Sequence, residues 1–326
     1  MRFLYTLFLL VPIWDVFSQT DDSNFVQKDS LLYISQQPSK GFFNDYILFI
    51  PKDTPLNKKI VLLVEPNNTG KTSDTIEVHK RSAEDLATKS SVGNNIATLL
   101  KIPLLVPVFP RPTAEALMYT HALDRDVILE QTPIYKRLDL QLLAMIKDAK
   151  KILEMNKIVV DEKVFMNGFS ASGTFVNRFS FIHPEIIKAL AIGGFNGELM
   201  LPLNTMNATI LNYPIGISDF HNLFSKPFNV KSYRTIQQFV YMGKLDENDA
   251  VQFDDAYSKS EQKIINQNIG ATVYQRFLKC QDIYKSQSLH PIFKSYEDVG
   301  HWTTSEMNLE IAKFFFKILH SKITSQ

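Results

Sequence analysis

Ser170 sits in the hexapeptide Gly168-Phe169-Ser170-Ala171-Ser172-Gly173, between a short apolar run and a stretch that reads as the first turns of a helix. A serine on a tight strand-to-helix turn flanked by small residues is how a weak alcohol is presented as a nucleophile. Small neighbours are expected because the backbone crowds itself at such a turn. The usual pattern has glycine two residues after the serine, whereas here Ser172 holds that place and Gly173 follows. Ser172 is expected to serve as the small residue of the turn, with Ser170 as the nucleophile.

A nucleophilic serine needs a base, and the base needs an acid to orient it. Seven histidines are present. His79, His121, His183, His221 and His290 follow no clear strand end, although His121 and His221 could line a cleft, and His320 falls on the last helix. His301 differs, because it follows an apolar strand in Glu297-Asp298-Val299-Gly300-His301-Trp302, just before the closing helix. It is the candidate base. The acid is sought between the two, and Asp246 stands just after the strand ending at Gly243. Asp249 and Asp219 are the alternative acids, and Glu247 is a weaker one. For the oxyanion, the N–H of Ala171 is one expected donor. The loop Glu65-Pro66-Asn67-Asn68-Thr69-Gly70 offers the second, from Asn67 or Asn68. Asn67 and Asn207 also head Asn-x-Thr sequons, which matter only in a eukaryotic secretory host.

These residues need a scaffold. Strand-like runs are read at Ser30–Ile34, Asp45–Ile50, Lys59–Val64, Pro103–Phe109, Lys163–Asn167, Lys188–Gly194, Gln237–Gly243 and Pro291–Tyr296. Helices are read at Ser82–Leu100, broken near Ser90–Gly93, at Arg137–Glu154, after Ser170, and at Asn308–His320, whose inner face is read as Leu309, Ala312, Phe315, Phe316 and Leu319. Strands alternating with helices imply parallel units in a doubly wound α/β sheet, and Pro38–Gly41 marks an N-terminal antiparallel hairpin. The stretch 196–235, rich in Asn, Pro and Phe, is expected to be an insertion forming a lid or pocket wall. Phe169, Phe195, Phe220, Phe224 and Trp302 are plausible pocket liners.

The order serine, aspartate, histidine along the chain is that of α/β-hydrolases and not of chymotrypsin-like or subtilisin-like proteases. The chain resembles the α/β-hydrolase superfamily from about Tyr46 to Leu319, through the elbow, the Gly243-Lys244-Leu245-Asp246 strand end and the Gly300-His301 loop. It is most similar to exported esterase-like members with this elbow. The resemblance implies a serine hydrolase cleaving carboxylic esters through an acyl-enzyme, without metal or organic cofactor. A peptidase or acyltransferase on the same triad is the alternative, and a non-catalytic binding protein on a hydrolase fold is a further one.

Bulk properties set the remaining bounds. A net charge of +1 gives no reason to expect nucleic acid or an anionic membrane as partner. Cys280 is the single cysteine, so no intrachain disulfide forms and no Cys/His zinc spacing exists. Arg2 followed by the apolar run Phe3–Trp14 reads as a signal peptide, residues 1–18, cleaved after Ser18. The run is short of the roughly 20 residues that span a bilayer, and no cysteine follows it for lipid attachment. One catalytic domain, 19–326, is expected in the periplasm or outside the cell. Its expected partner is a small-molecule or acyl ester, with no stable membrane insertion, and the oligomeric state is left open.

Overall fold

The computed structural model describes residues 24–321 except 90 and 116, so the expected leader and its cleavage point lie outside the described residues. Strand β1 (Ser30–Ile34) pairs antiparallel with β2 (Tyr46–Ile50), Leu32 opposite Leu48, as the Pro38–Gly41 turn leads one to expect. Strand β3 is regular only over Leu63–Val64, although Ile60 bridges to Val160. Helices α1 (Ile76–Thr88) and α2 (Val92–Leu100) follow. The expected break is there, with Ser91 capping α2 by accepting from Asn94 N–H, but α1 begins before Ser82.

Strand β4 (Leu104–Pro107) is followed by α3 (Arg125–Leu129) and α4 (Leu138–Met155). Leu138, Leu142, Met145, Ile146, Ala149 and Leu153 of α4 are buried, as their spacing predicts. Strand β5 (Val164–Phe169) runs into α5 (Ala171–Ile182), every residue of which is buried. Strand β6 (Ile187–Gly193) precedes the insertion, which holds the small hairpin β7 (Thr205–Met206) and β8 (Thr209–Ile210) and the short helices α6 (Phe220–Phe224) and α7 (Val230–Arg234).

Strand β9 (Gln237–Gly243), helices α8 (Lys259–Asn268) and α9 (Val273–Ser286), strand β10 (Ile292–Tyr296) and helix α10 (Ser305–His320) complete the chain. The inner face of α10 is Met307, Ile311, Ala312 and Phe315, with Phe315 against Phe165. Leu309 and Phe316, expected on that face, are exposed.

The eight-stranded sheet has the order β1-β2-β4-β3-β5-β6-β9-β10. From β4 to β10 every neighbouring pair is parallel. Parallel strands joined by helices have both faces covered, and β2 to β6 are accordingly almost wholly buried. The parallel arrangement places the loops after β3, β5, β9 and β10 at one edge, at the carboxyl ends of their strands, where ligands bind in such sheets. Among the described residues no helix is long and apolar enough to cross a membrane.

Candidate active site

The turn between β5 and α5 is strained where the sequence suggests. Ser170 has φ 62° and ψ −131°, a region that non-glycine residues avoid at a cost of about 1–3 kcal/mol. Its N–H donates to Gly193 O of β6 at 3.0 Å, which ties the elbow to the neighbouring strand. Gly168 must lack a side chain, because a Cβ there would lie 2.3 Å from Ser172 O. A Cβ at Gly173 would lie 2.9 Å from Gly193 O. The serine at 172 is tolerated for a different reason: its Oγ donates to Phe169 O at 2.8 Å and accepts from Phe169 N–H at 3.0 Å. Ser172 therefore braces the turn, and Ser170 faces the cavity.

The loop after β9 brings Asp246 in. Leu245 N–H donates to Val299 O, and a Cβ on Gly243 would lie 2.2 Å from that oxygen, so the β9 and β10 loops meet closely. His301 is carried by the second of these loops. Its Nδ1 lies 3.0 and 2.9 Å from the two oxygens of the buried Asp246 carboxylate. The ring also packs against Phe169, centroids 4.9 Å apart. Gly300 has no unusual φ. It is small because the Trp302 indole occupies the space a Cβ would take.

The two alternative acids are engaged elsewhere. Asp249 pairs with the fully buried Arg276 at 2.5 Å and accepts Val251 N–H. Asp219 pairs with Arg125 at 2.6 Å and accepts Tyr213 N–H, within the insertion. Glu247 is exposed.

Ala171 is the first residue of α5, so its N–H has no acceptor in the helix ladder. Asn67 and Asn68 have separate places. The Asn67 side chain is buried and bonds both Phe109 N–H and Phe109 O, which fixes the loop to the end of β4. Asn68 lines the cavity beside Ser170, its amide donating to Phe169 O at 3.3 Å. Two histidines hold this loop from behind. His79 bonds Thr69 Oγ1 at 2.8 Å. His121 Nδ1 accepts Thr69 N–H, and Nε2 lies 2.9 Å from Phe109 O. Burial pushes the His121 pKa down to about 3, so the ring is neutral and Nε2–H is the donor to Phe109 O. His121 is thus a support and not a cleft liner, and His221 does not line the cavity either.

Glu65, at the head of the same loop, is buried with Oε2 unpaired. Burial pushes its carboxyl up to about 8, offset only in part by Asn167 and the Gly93 backbone. Gly93 makes room for it, since a Cβ there would lie 1.6 Å from Oε2.

Ser170, His301 and Asn68 open onto a cavity of about 720 Å³. Its other walls come from residues that the spacing of strands and helices does not single out: Arg111 and Tyr119 after β4, and Asn248, Phe253, Asp254 and Asp255 after β9. The Arg111 guanidinium stacks on Tyr119, 3.9 Å from the ring centroid, and pairs with Asp255 at 2.6 Å. From the stretch 196–235 only Asn196 lines the cavity, so that stretch is not its lid. Its aromatic residues pack beside α5 instead, with Phe181 on Phe228 and Phe220 on Phe224. Of the expected liners Phe169 is in place, Phe195, Phe220 and Phe224 are core, and Trp302 points elsewhere, half exposed. No group of three or more metal-ligating side chains occurs among the described residues.

No family model and no curated protein matches the chain. Solved structures do. Poly(aspartic acid) hydrolase-1 from Sphingomonas sp. KT-1 aligns with a TM-score of 0.56 at 13% identity, over 91% of this chain and 100% of its own. A poly(3-hydroxybutyrate) depolymerase from Bordetella parapertussis aligns at 0.55 and 15% identity, over 89% and 90%. A fluorophosphonate-binding serine hydrolase from Staphylococcus aureus aligns at 0.50 and 12% identity, over 90% and 100%. With the sheet order and the hairpin edge, these likenesses define the class: the chain has the α/β-hydrolase fold.

Proposed function

We propose that the protein is a serine hydrolase that cleaves carboxylic esters through an acyl-enzyme. The observation that carries this is the His301–Asp246 contact, made between two separate strand-end loops beside a strained, cavity-facing serine. In this reading Ser170 Oγ attacks the ester carbonyl while its proton passes to His301 Nε2. Asp246 holds Nδ1–H and stabilises the imidazolium that forms. The N–H groups of Ala171 and Asn68 receive the oxyanion, a contribution of about 2.7–4 kcal/mol per donor to the transition state. His301 then returns its proton to the leaving alcohol, and a water activated by the same ring releases the acid.

The cavity wall suits an ester with both polar and apolar parts. The Asn68, Asn196 and Asn248 amides and the Arg111–Asp255 pair share the wall about evenly with the apolar surfaces of Phe169, Tyr119, Ala250 and Phe253. The apolar run ahead of Asp15 supports export, with residues 19–326 as the catalytic unit.

Purified protein is expected to react with a fluorophosphonate probe, and Ser170→Ala to abolish the reaction. Labelling that persists in Ser170→Ala and vanishes in Ser172→Ala overturns the assignment. A panel of p-nitrophenyl esters, thioesters and aminoacyl amides then ranks substrates, and preference for amides would replace the esterase reading by a peptidase.

A further inference from the structure

Asn248 is the residue on which the catalytic hydrogen bonds converge. Its Nδ2 lies 2.8 Å from His301 Nε2 and 3.5 Å from Ser170 Oγ. Because His301 directs Nδ1–H at Asp246, the neutral ring presents a lone pair at Nε2. The Asn248 atom that meets this lone pair is therefore its N–H donor. That same lone pair must accept the Ser170 proton. Among the described residues Ser170 Oγ makes no hydrogen bond to His301, and Asn248 is its one side-chain partner.

We infer that Asn248 is a latch: its amide occupies the base's lone pair until a substrate entering the cavity displaces it. It is a positioning residue, and the inference rests on the serine hydrolase reading. Three features suit it to this role. The residue is exposed and lines the cavity, so an incoming acyl group competes for its place. Its backbone N–H is held by Asp246 Oδ1 at 3.0 Å, so the side chain can rotate while the loop stays put. Only one good hydrogen bond must break, since the 3.5 Å contact to Ser170 is weak.

The titratable groups around His301 are Asp246, Glu297 and Asp298 of its own loop, Lys244 paired with Glu297, and Arg111, Asp254 and Asp255 on the cavity wall. Asn248→Ala leaves all of these in place.

The test compares the second-order rate of fluorophosphonate labelling in wild type and Asn248→Ala. It adds the 15N NMR signal of His301 Nε2 in Ser170→Ala with and without Asn248→Ala. Loss of one neutral hydrogen bond from the resting state is expected to raise the labelling rate about threefold to tenfold. The Nε2 signal of the neutral ring is expected to move downfield in Asn248→Ala, where the hydrogen bond to its lone pair is lost. A labelling rate no higher than that of wild type overturns the latch, as does an unmoved Nε2 signal. Failure of wild type to label at Ser170 overturns the serine hydrolase reading instead. The Nε2 signal then still decides whether Asn248 caps the ring.

Discussion

Replacing Glu65 by glutamine is expected to change how stability depends on pH. The carboxyl is buried at the end of β3, and burial holds its folded pKa near 8 against 4.5 for the free group. The folded protein therefore keeps a proton that the unfolded chain loses. For a group with a raised folded pKa, the stability contribution is fully present below pH 4.5 and is lost as pH rises through 8. Each pH unit in that window removes about 1.4 kcal/mol. Between about pH 5.5 and 7.5 the native protein should lose about 2.5–3 kcal/mol through this one residue. Asp124 is raised to about 7 by burial, and Glu198 is raised for the same reason. They add to the acid-favouring slope, but they are present in both proteins. The measurement is urea unfolding of wild type and Glu65→Gln at half-unit steps from about pH 5 to 8.5. The glutamine side chain keeps the shape and a donor without the charge, so the variant should gain on wild type by that amount across the window. Curves that stay parallel from about pH 5 to 8 would show that Glu65 is ionised in the folded state and refute the reasoning.

Two further predictions separate the candidate acids. Asp246→Asn keeps the shape but reverses the ring's hydrogen-bonding demand, so kcat should fall by about three to four orders of magnitude with KM little changed; steady-state ester kinetics read this, and a larger loss from Asp249→Asn would reassign the acid. Asp249→Ala leaves Arg276 buried without its carboxylate, so stability should drop by about 3 kcal/mol in chemical denaturation, and a loss under about 1 kcal/mol would contradict the pairing.

Much of the architecture was legible because buried parallel strands are short apolar runs, and amphipathic helices such as α4 repeat at helical spacing. Helices α8 and α9 lie outside the helices read from the sequence: α8 carries few apolar positions, and in α9 the buried Val273, Phe277, Cys280 and Tyr284 alternate with polar residues. Their signal was local: Ser258 with Glu261 and Thr272 with Gln275 form capping boxes at their starts. Strand β3 is shorter than the apolar run Lys59–Val64 because burial alone does not make a ladder, and only Leu63 and Val64 pair in register.

By itself the sequence determined the elbow, the chain order of serine, aspartate and histidine, and the alternation that puts all three at strand ends. Those are local facts of residue type and spacing. Only the tertiary structure decided which carboxylate meets His301, because Asp246 and Asp249 lie on one loop and differ solely in what packs against them, a histidine for one and a buried arginine for the other. It also decided that Asn67 anchors its loop while Asn68 faces the cavity, and that the wall is built by Arg111, Tyr119 and Asn248. Contacts between residues 42 to 78 positions apart have no period for a sequence to display. They exist only once the sheet has brought the ends of β3, β5, β9 and β10 to a common edge.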